Sequence, residues 1–156
     1  MVRYRLVQAD RTAMQGTYTP QEAFIIMADK VVEELKFYRC NHCGNIVTKI
    51  VDSGVPIICC GEPMEEIIAG STDGAVEKHV PVFEVKDGVV EVNVGSADHP
   101  MEPEHYIEWV LLNTKQGNQI KRLNPGDKPH VEFALTDGDE VVDVYAYCNI
   151  HGLFKG

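Results

Sequence analysis

Apolar and polar residues alternate through most of the second half of the chain, with the period of two that an extended strand requires. The pattern predicts strands over Val80–Val85, Val89–Val94, Tyr106–Leu112, Gln119–Arg122, Val131–Leu135 and Val141–Tyr147. Turn residues separate them at Asp87-Gly88, Gly117-Asn118, Asn124-Pro125-Gly126-Asp127 and Asp137-Gly138. Short strands joined by tight turns predict an antiparallel β-sandwich over residues 79–156. In the last predicted strand Val142, Val144, Ala146 and Cys148 fall on one face, so Cys148 would end an inward apolar row.

The first half reads differently. Residues 1–18 carry no firm pattern. Thr19-Pro20-Gln21-Glu22 can start a helix, with Thr19 as cap, Pro20 at the first helical position and Glu22 closing a capping box. Phe24, Met27, Ala28, Val31 and Leu35 then recur at helical spacing, which predicts an amphipathic helix over about 19–36 inside an N-terminal extension, residues 1–36. Its apolar stripe needs a surface, on the same chain or on a second copy. Met27 is an alternative start. Residues 37–68 form a cysteine-bearing unit with short β-like runs, too small to bury a sufficient core without a structural metal. Residues 69–78 read as a linker.

Composition narrows the functional classes. The net charge is −10 over 156 residues. Residues 1–36 hold five basic and five acidic side chains, which leaves nine basic against nineteen acidic in residues 37–156. Nucleic acid and anionic membrane are poor partners for such a surface. A small anionic substrate would also be repelled unless a local positive charge stands at the site. The longest apolar stretch near the start is Ala23–Ala28, too short for a signal peptide or a span, so the expected compartment is the cytoplasm. Five cysteines at metal-ligand spacing point to reduced thiolates, not disulfides.

Four of the five lie close together, as Cys40-x2-Cys43 followed by the adjacent pair Cys59-Cys60. Four thiolates make a tetrahedral sulfur site, for which zinc and a single iron are both candidates. Adjacent side chains normally diverge, so Cys59 and Cys60 on one ion are expected to strain the S–metal–S angle. His42, inside the first turn, is expected to face solvent. A second group mixes imidazole and thiolate: His79, His99, His105, Cys148 and His151. His79 is expected to open a strand. His99 and His105 flank Pro100-Met101-Glu102-Pro103, a loop stiffened by two prolines, and Cys148 and His151 close the last strand. Four imidazoles and one thiolate leave one position open on an octahedral metal, which suits iron, copper or zinc and permits chemistry. A blue-copper reading would enlist Met101 and leave two histidines unused. His130, on a polar turn, is expected at the surface.

These runs resemble the desulfoferrodoxin family, the two-iron form of superoxide reductase. The resemblance covers about residues 37–156 and is carried by Tyr38-Arg39-Cys40-Asn41-His42-Cys43, Cys59-Cys60-Gly61-Glu62-Pro63-Met64, Glu77-Lys78-His79-Val80-Pro81, His99-Pro100-Met101-Glu102, His105-Tyr106-Ile107-Glu108-Trp109 and Tyr147-Cys148-Asn149-Ile150-His151. The 36-residue start departs from the family's pattern. The resemblance implies a desulforedoxin-like domain over 37–68 holding iron on Cys40, Cys43, Cys59 and Cys60. It implies an immunoglobulin-like sandwich over 79–156 holding a catalytic iron, with His79, His99, His105 and His151 around it and Cys148 as axial thiolate. Glu77 and Lys78 match the family's catalytic glutamate and lysine. The implied activity is one-electron reduction of superoxide to hydrogen peroxide, fed by a rubredoxin-like donor, in a homodimer. Rival readings are an electron carrier without superoxide turnover, and a zinc-stabilised interaction module with incidental histidines.

Overall fold

The computed structural model describes residues 34–156, so residues 19–33 of the helix predicted over about 19–36, and the alternative start at Met27, lie outside the described residues. Glu34–Lys36 are described and are not helical, so a helix does not extend to Lys36. Strands follow: β1 Phe37–Arg39, β2 Ile46–Thr48, β3 Ile58–Cys59, β4 Glu62–Pro63 and β5 Glu65–Ile67. A single helical turn, α1, spans Val76–His79. Beyond it lie β6 Pro81–Lys86, β7 Val89–Val94, β8 Ile107–Thr114, β9 Asn118–Arg122, β10 His130–Ala134, β11 Val141–Cys148 and β12 Gly152–Lys155.

The small unit is a three-stranded sheet in the order β2-β1-β5 beside the β3-β4 hairpin. The larger unit is the expected sandwich: a β10-β7-β6 sheet facing a β12-β11-β8-β9 sheet, with every strand pair antiparallel. Each strand predicted from residue 80 onward is present within one to two residues at its ends. The hairpin Asp87-Gly88 has φ of 51° and 77°, the doubly left-handed turn that matches strand twist, which is why Asp and Gly occupy it.

Three expectations are corrected. His79 closes α1 instead of opening a strand, and β6 starts at Pro81. The chain gains a further strand, β12, after the one expected to be last; its short Gly-Leu-Phe-Lys run carries too little alternation to stand out. Val142 occupies a bulge where the β11–β8 register shifts, so it is exposed while Val141 packs against the core. Downstream of the bulge the period of two holds. Val144, Ala146 and Cys148 are fully buried in the sandwich core with Val90, Val92 and Ile107.

The alternate residues of the same strands are buried too. Leu111, Tyr145 and Tyr147 point to the outer face of the four-stranded sheet, where they pack with Phe37 of β1 and Leu153 of β12. Phe37 is 3% exposed, with its ring 5.1 Å from Tyr145 and 5.5 Å from Trp109. Trp109 in turn stacks on Tyr147 at 5.3 Å and 3°. The small unit therefore sits on the outer face of the strands whose inner ends carry Cys148. Removing the Phe37 ring should cost about 3 kcal/mol. A clear fall in the denaturant midpoint of Phe37→Ala is expected, and an unchanged midpoint would show that Phe37 does not hold this packing.

Candidate metal centres

The first group is built by two turns. After β1 the chain folds back at once: the Gly44 N–H donates to the Cys40 carbonyl at 2.9 Å, and the Cys40 N–H to the Asn45 carbonyl at 2.9 Å. The second turn answers the question raised by the adjacent cysteines. Cys59 ends β3 and Cys60 starts a two-residue hairpin loop in which Cys60 and Gly61 have φ of 52° and 88°. Cys60 is thus left-handed, a conformation that a hairpin loop of this length favours. The two sulfurs lie 3.9 Å apart, and Cys43 Sγ lies 3.6 Å from Cys59 Sγ. All four sulfurs fall within 4.8 Å of one another. Backbone N–H donation from Cys43 pulls the Cys40 thiol down to about 6, whereas hydrogen bonding to neighbouring sulfurs, Cys43 first, pushes Cys60 up to about 12. One sulfur ionises readily and the next resists, so only a cation can hold all four as thiolates. His42 is exposed beside them.

The second group forms at the end of the sandwich where α1, the 99–105 loop and the β11–β12 turn converge. The ligand atoms of His79, His99, His105, His151 and Cys148 lie within 4.8 Å of one another. Round the ring, His79–His99, His99–His105, His105–His151 and His151–His79 have centroid separations of 4.7, 4.6, 4.8 and 4.6 Å, with interplanar angles of 81°, 82°, 70° and 84°. Across the diagonal, His79 and His105 are 6.0 Å apart and nearly parallel, at 25°. Four imidazoles thus make a square, each roughly perpendicular to its neighbours. Cys148 Sγ, from the sandwich core, comes 3.5 Å from His151 Nδ1.

The outer nitrogens fix which ring atoms face inward. His79 Nδ1 is 2.8 Å from the Ala75 carbonyl, and His99 Nδ1 meets the Pro100 carbonyl. A carbonyl only accepts, so each Nδ1 carries the proton and each Nε2 is left as a bare lone pair. Among the described residues, His99 Nε2 and His105 Nε2 are buried without a hydrogen-bond partner. Burial lowers the pKa of His79 and His105 and brings His99 to about 4, which keeps the rings neutral. Burial also pushes the Cys148 thiol up, opposed by the N–H groups of His151 and Ile150. Buried lone pairs converging without donors are costly for the protein alone and suited to a metal cation. The residues present therefore fit an iron centre.

Residues 71–156 match the family model described as Desulfoferrodoxin, and residues 32–67 match that described as Desulfoferrodoxin, N-terminal domain. The chain belongs to the desulfoferrodoxin family. It is 46% identical over 122 residues to the desulfoferrodoxin of Nitratidesulfovibrio vulgaris, covering 78% of this chain and 95% of the relative. The desulfoferrodoxin homolog of Archaeoglobus fulgidus is 42% identical over 125 residues, covering 80% and 98%. Among solved structures, the superoxide reductase from Treponema pallidum superposes with a TM-score of 0.68 at 41% identity, covering 80% of this chain and 99% of that one. Family and geometry together give two iron centres per chain, a four-cysteine one and one of four histidines and a cysteine.

The structure brings together every residue the sequence proposed as a ligand. Glu77 and Lys78 are exposed on α1, immediately before His79. The Lys78 charge is felt at both His79 and His105, where it opposes protonation. His130 stands elsewhere, on the outer face of the three-stranded sheet, bonded to Asn93 at 2.7 Å.

Sequence reasoning missed the residues that hold the ligands. Asn149 accepts from the Tyr106 N–H at 3.0 Å and donates to the Glu104 carbonyl at 3.0 Å, bolting the His105 loop to the Cys148–His151 turn. Thr72 Oγ1 donates to the His151 carbonyl. Gly74 lies so close that a Cβ there would stand 2.7 Å from Phe154 Cζ and 3.3 Å from His79 Cε1. Each is polar or small within a stretch that reads as loop, and its partner is remote in sequence. Only Asn149 carried a signal, its place between two ligands. Asn149→Ala should weaken iron binding at the second site about 10- to 100-fold and spare the first. Competition with a chelator, following each iron separately, checks this; equal retention at both sites would contradict it.

Proposed function

We propose that this chain is a superoxide reductase whose reaction takes place at the second centre. The observation that carries the reading is the donor set: a square of four imidazoles and one core-buried cysteine sulfur is a five-donor cage, one short of an octahedron. A purely structural site would close its coordination. The solved relative of similar fold carries the name superoxide reductase. Bound there by His79, His99, His105, His151 and Cys148, iron would supply the one-electron chemistry that turns superoxide and two protons into hydrogen peroxide.

The chain's own residues divide the remaining tasks. The apolar core around Cys148 keeps water from the thiolate and preserves its electron donation. The carbonyls of Ala75 and Pro100 hold His79 and His99 as neutral donors. Lys78 provides the local positive charge that an acidic chain must place where an anion is to arrive, and its Nζ can hold a water as proton source. Glu77 places a carboxylate on the same helical turn, where it would offer a further oxygen donor to bound iron. The electron comes from a small rubredoxin-like carrier, and the first centre serves to stabilise the small unit. The working form is a cytoplasmic homodimer; among the described residues no helix is long and apolar enough to cross a membrane.

If Lys78 steers the substrate, Lys78→Ala should slow the second-order reaction with superoxide about tenfold at low salt and flatten its dependence on ionic strength. Pulse radiolysis measures both. An unchanged rate constant with an unchanged salt slope would reject the role.

A further inference from the structure

We propose that the turn Gly95-Ser96-Ala97 is a positioning element for the reaction, gripping the backbone on both sides of Lys78 and fixing where its ammonium stands at the second centre. The inference rests on the steering role given to Lys78 above.

The need for such a grip follows from α1 itself. It is one turn of four residues, and its start has no side-chain cap. A single turn bears the whole cost of helix nucleation and gains nothing from propagation, so it must be supported from outside. The support comes from the end of β7. The Ala97 N–H donates to the Glu77 carbonyl at 2.9 Å, and Ser96 Oγ reaches the same oxygen at 3.4 Å. The Gly95 N–H donates to the Val80 carbonyl at 3.1 Å. The acceptors, Glu77 and Val80, bracket Lys78.

Gly95 makes this approach feasible. It is buried, with φ of +87°. A Cβ there would stand 2.8 Å from the Glu77 oxygen and 2.7 Å from the Lys78 oxygen, and would strike the Ala97 oxygen. Backbone oxygens held by the fold cannot swing aside as a side-chain tip can, so a larger residue must push α1 away. A lysine stem is flexible, so the turn fixes its root, and displacing that root shifts the whole volume that the ammonium can reach. His79 closes the same turn, and its ring has an anchor outside α1, the Phe154 ring stacked at 4.6 Å. Iron content read beside the rate therefore separates the turn's effect on Lys78 from retention of the metal.

The test uses the full iron-loaded chain and four variants: Lys78→Ala, Gly95→Ala, the two combined, and Gly88→Ala. The last imposes a comparable left-handed strain, at φ of +77° in the β6–β7 hairpin, where a Cβ would meet only the Leu135 oxygen at 3.5 Å. Iron content, thermal midpoint and the superoxide rate constant across ionic strength are read for each. Gly95→Ala should lose most of what Lys78→Ala loses, about tenfold at low salt, with the same flattened salt slope. The double variant should lose no more than Lys78→Ala, because both act through one charge. Gly88→Ala should lower the midpoint and leave the rate unchanged. The proposal is overturned if Gly95→Ala behaves like Gly88→Ala, if the two losses multiply, or if Gly95→Ala sheds the second iron while the remaining loaded sites react normally. Should Gly95→Ala fail to fold, Ser96→Ala decides, with an expected loss of about twofold that vanishes in the Lys78→Ala background; a rate equal to the parent's overturns the proposal. An unchanged rate in Lys78→Ala itself would instead fault the role of Lys78.

Discussion

The second centre depends on one constraint: imidazole nitrogens that the fold buries and turns toward one another instead of toward water. Among the described residues His99 Nε2 and His105 Nε2 have no hydrogen-bond partner, and His79 Nε2 is paired with His151 Nδ1 at 2.9 Å. Folding to this arrangement is unfavourable unless a cation enters it. Much of the surrounding structure serves to keep the lone pairs aimed. Ala75 and Pro100 claim the outer protons, Asn149 ties two ligand-bearing loops together, and Gly74 lets the 72–75 segment lie against His79 and His151.

The four-stranded sheet links this centre to the rest of the molecule. Along β11 successive residues are buried on opposite faces, Ala146 and Cys148 in the sandwich core and Tyr145 and Tyr147 beneath the small unit. A sheet covered on both sides is held more rigidly than one with a wet face, and Cys148 stands at its end. Electrostatics adds a second requirement. The chain is acidic overall, so an anionic substrate needs a cation fixed at the rim, and α1 places Lys78 next in sequence to a ligand.

Much of this was legible in the sequence. Alternation and Gly-rich turns were enough for the sandwich strands, and residue type and spacing were enough to group the nine donors. The geometry of the adjacent cysteines was not legible, because it depends on Cys60 taking a left-handed conformation that sequence favours only through the following Gly61. The helical turn ending at His79 was hidden for a related reason: four residues are too few for a period, and remote partners at Gly95 and Ala97 support it. The bulge at Val142 displaced one residue of an otherwise correct inward row, since a bulge is set by pairing with a neighbouring strand and not by local alternation. Supporting residues such as Thr72 and Asn149 escape sequence reading because their roles are long-range hydrogen bonds.

The most direct test of the account is the metal content of the full chain with its visible spectrum before and after mild oxidation, alongside Cys148→Ser. The account predicts two irons per chain, and a thiolate-to-iron band that appears on oxidation and is missing from Cys148→Ser while the four-cysteine iron remains. One zinc per chain with no second metal, or a band that survives loss of Cys148, would contradict it.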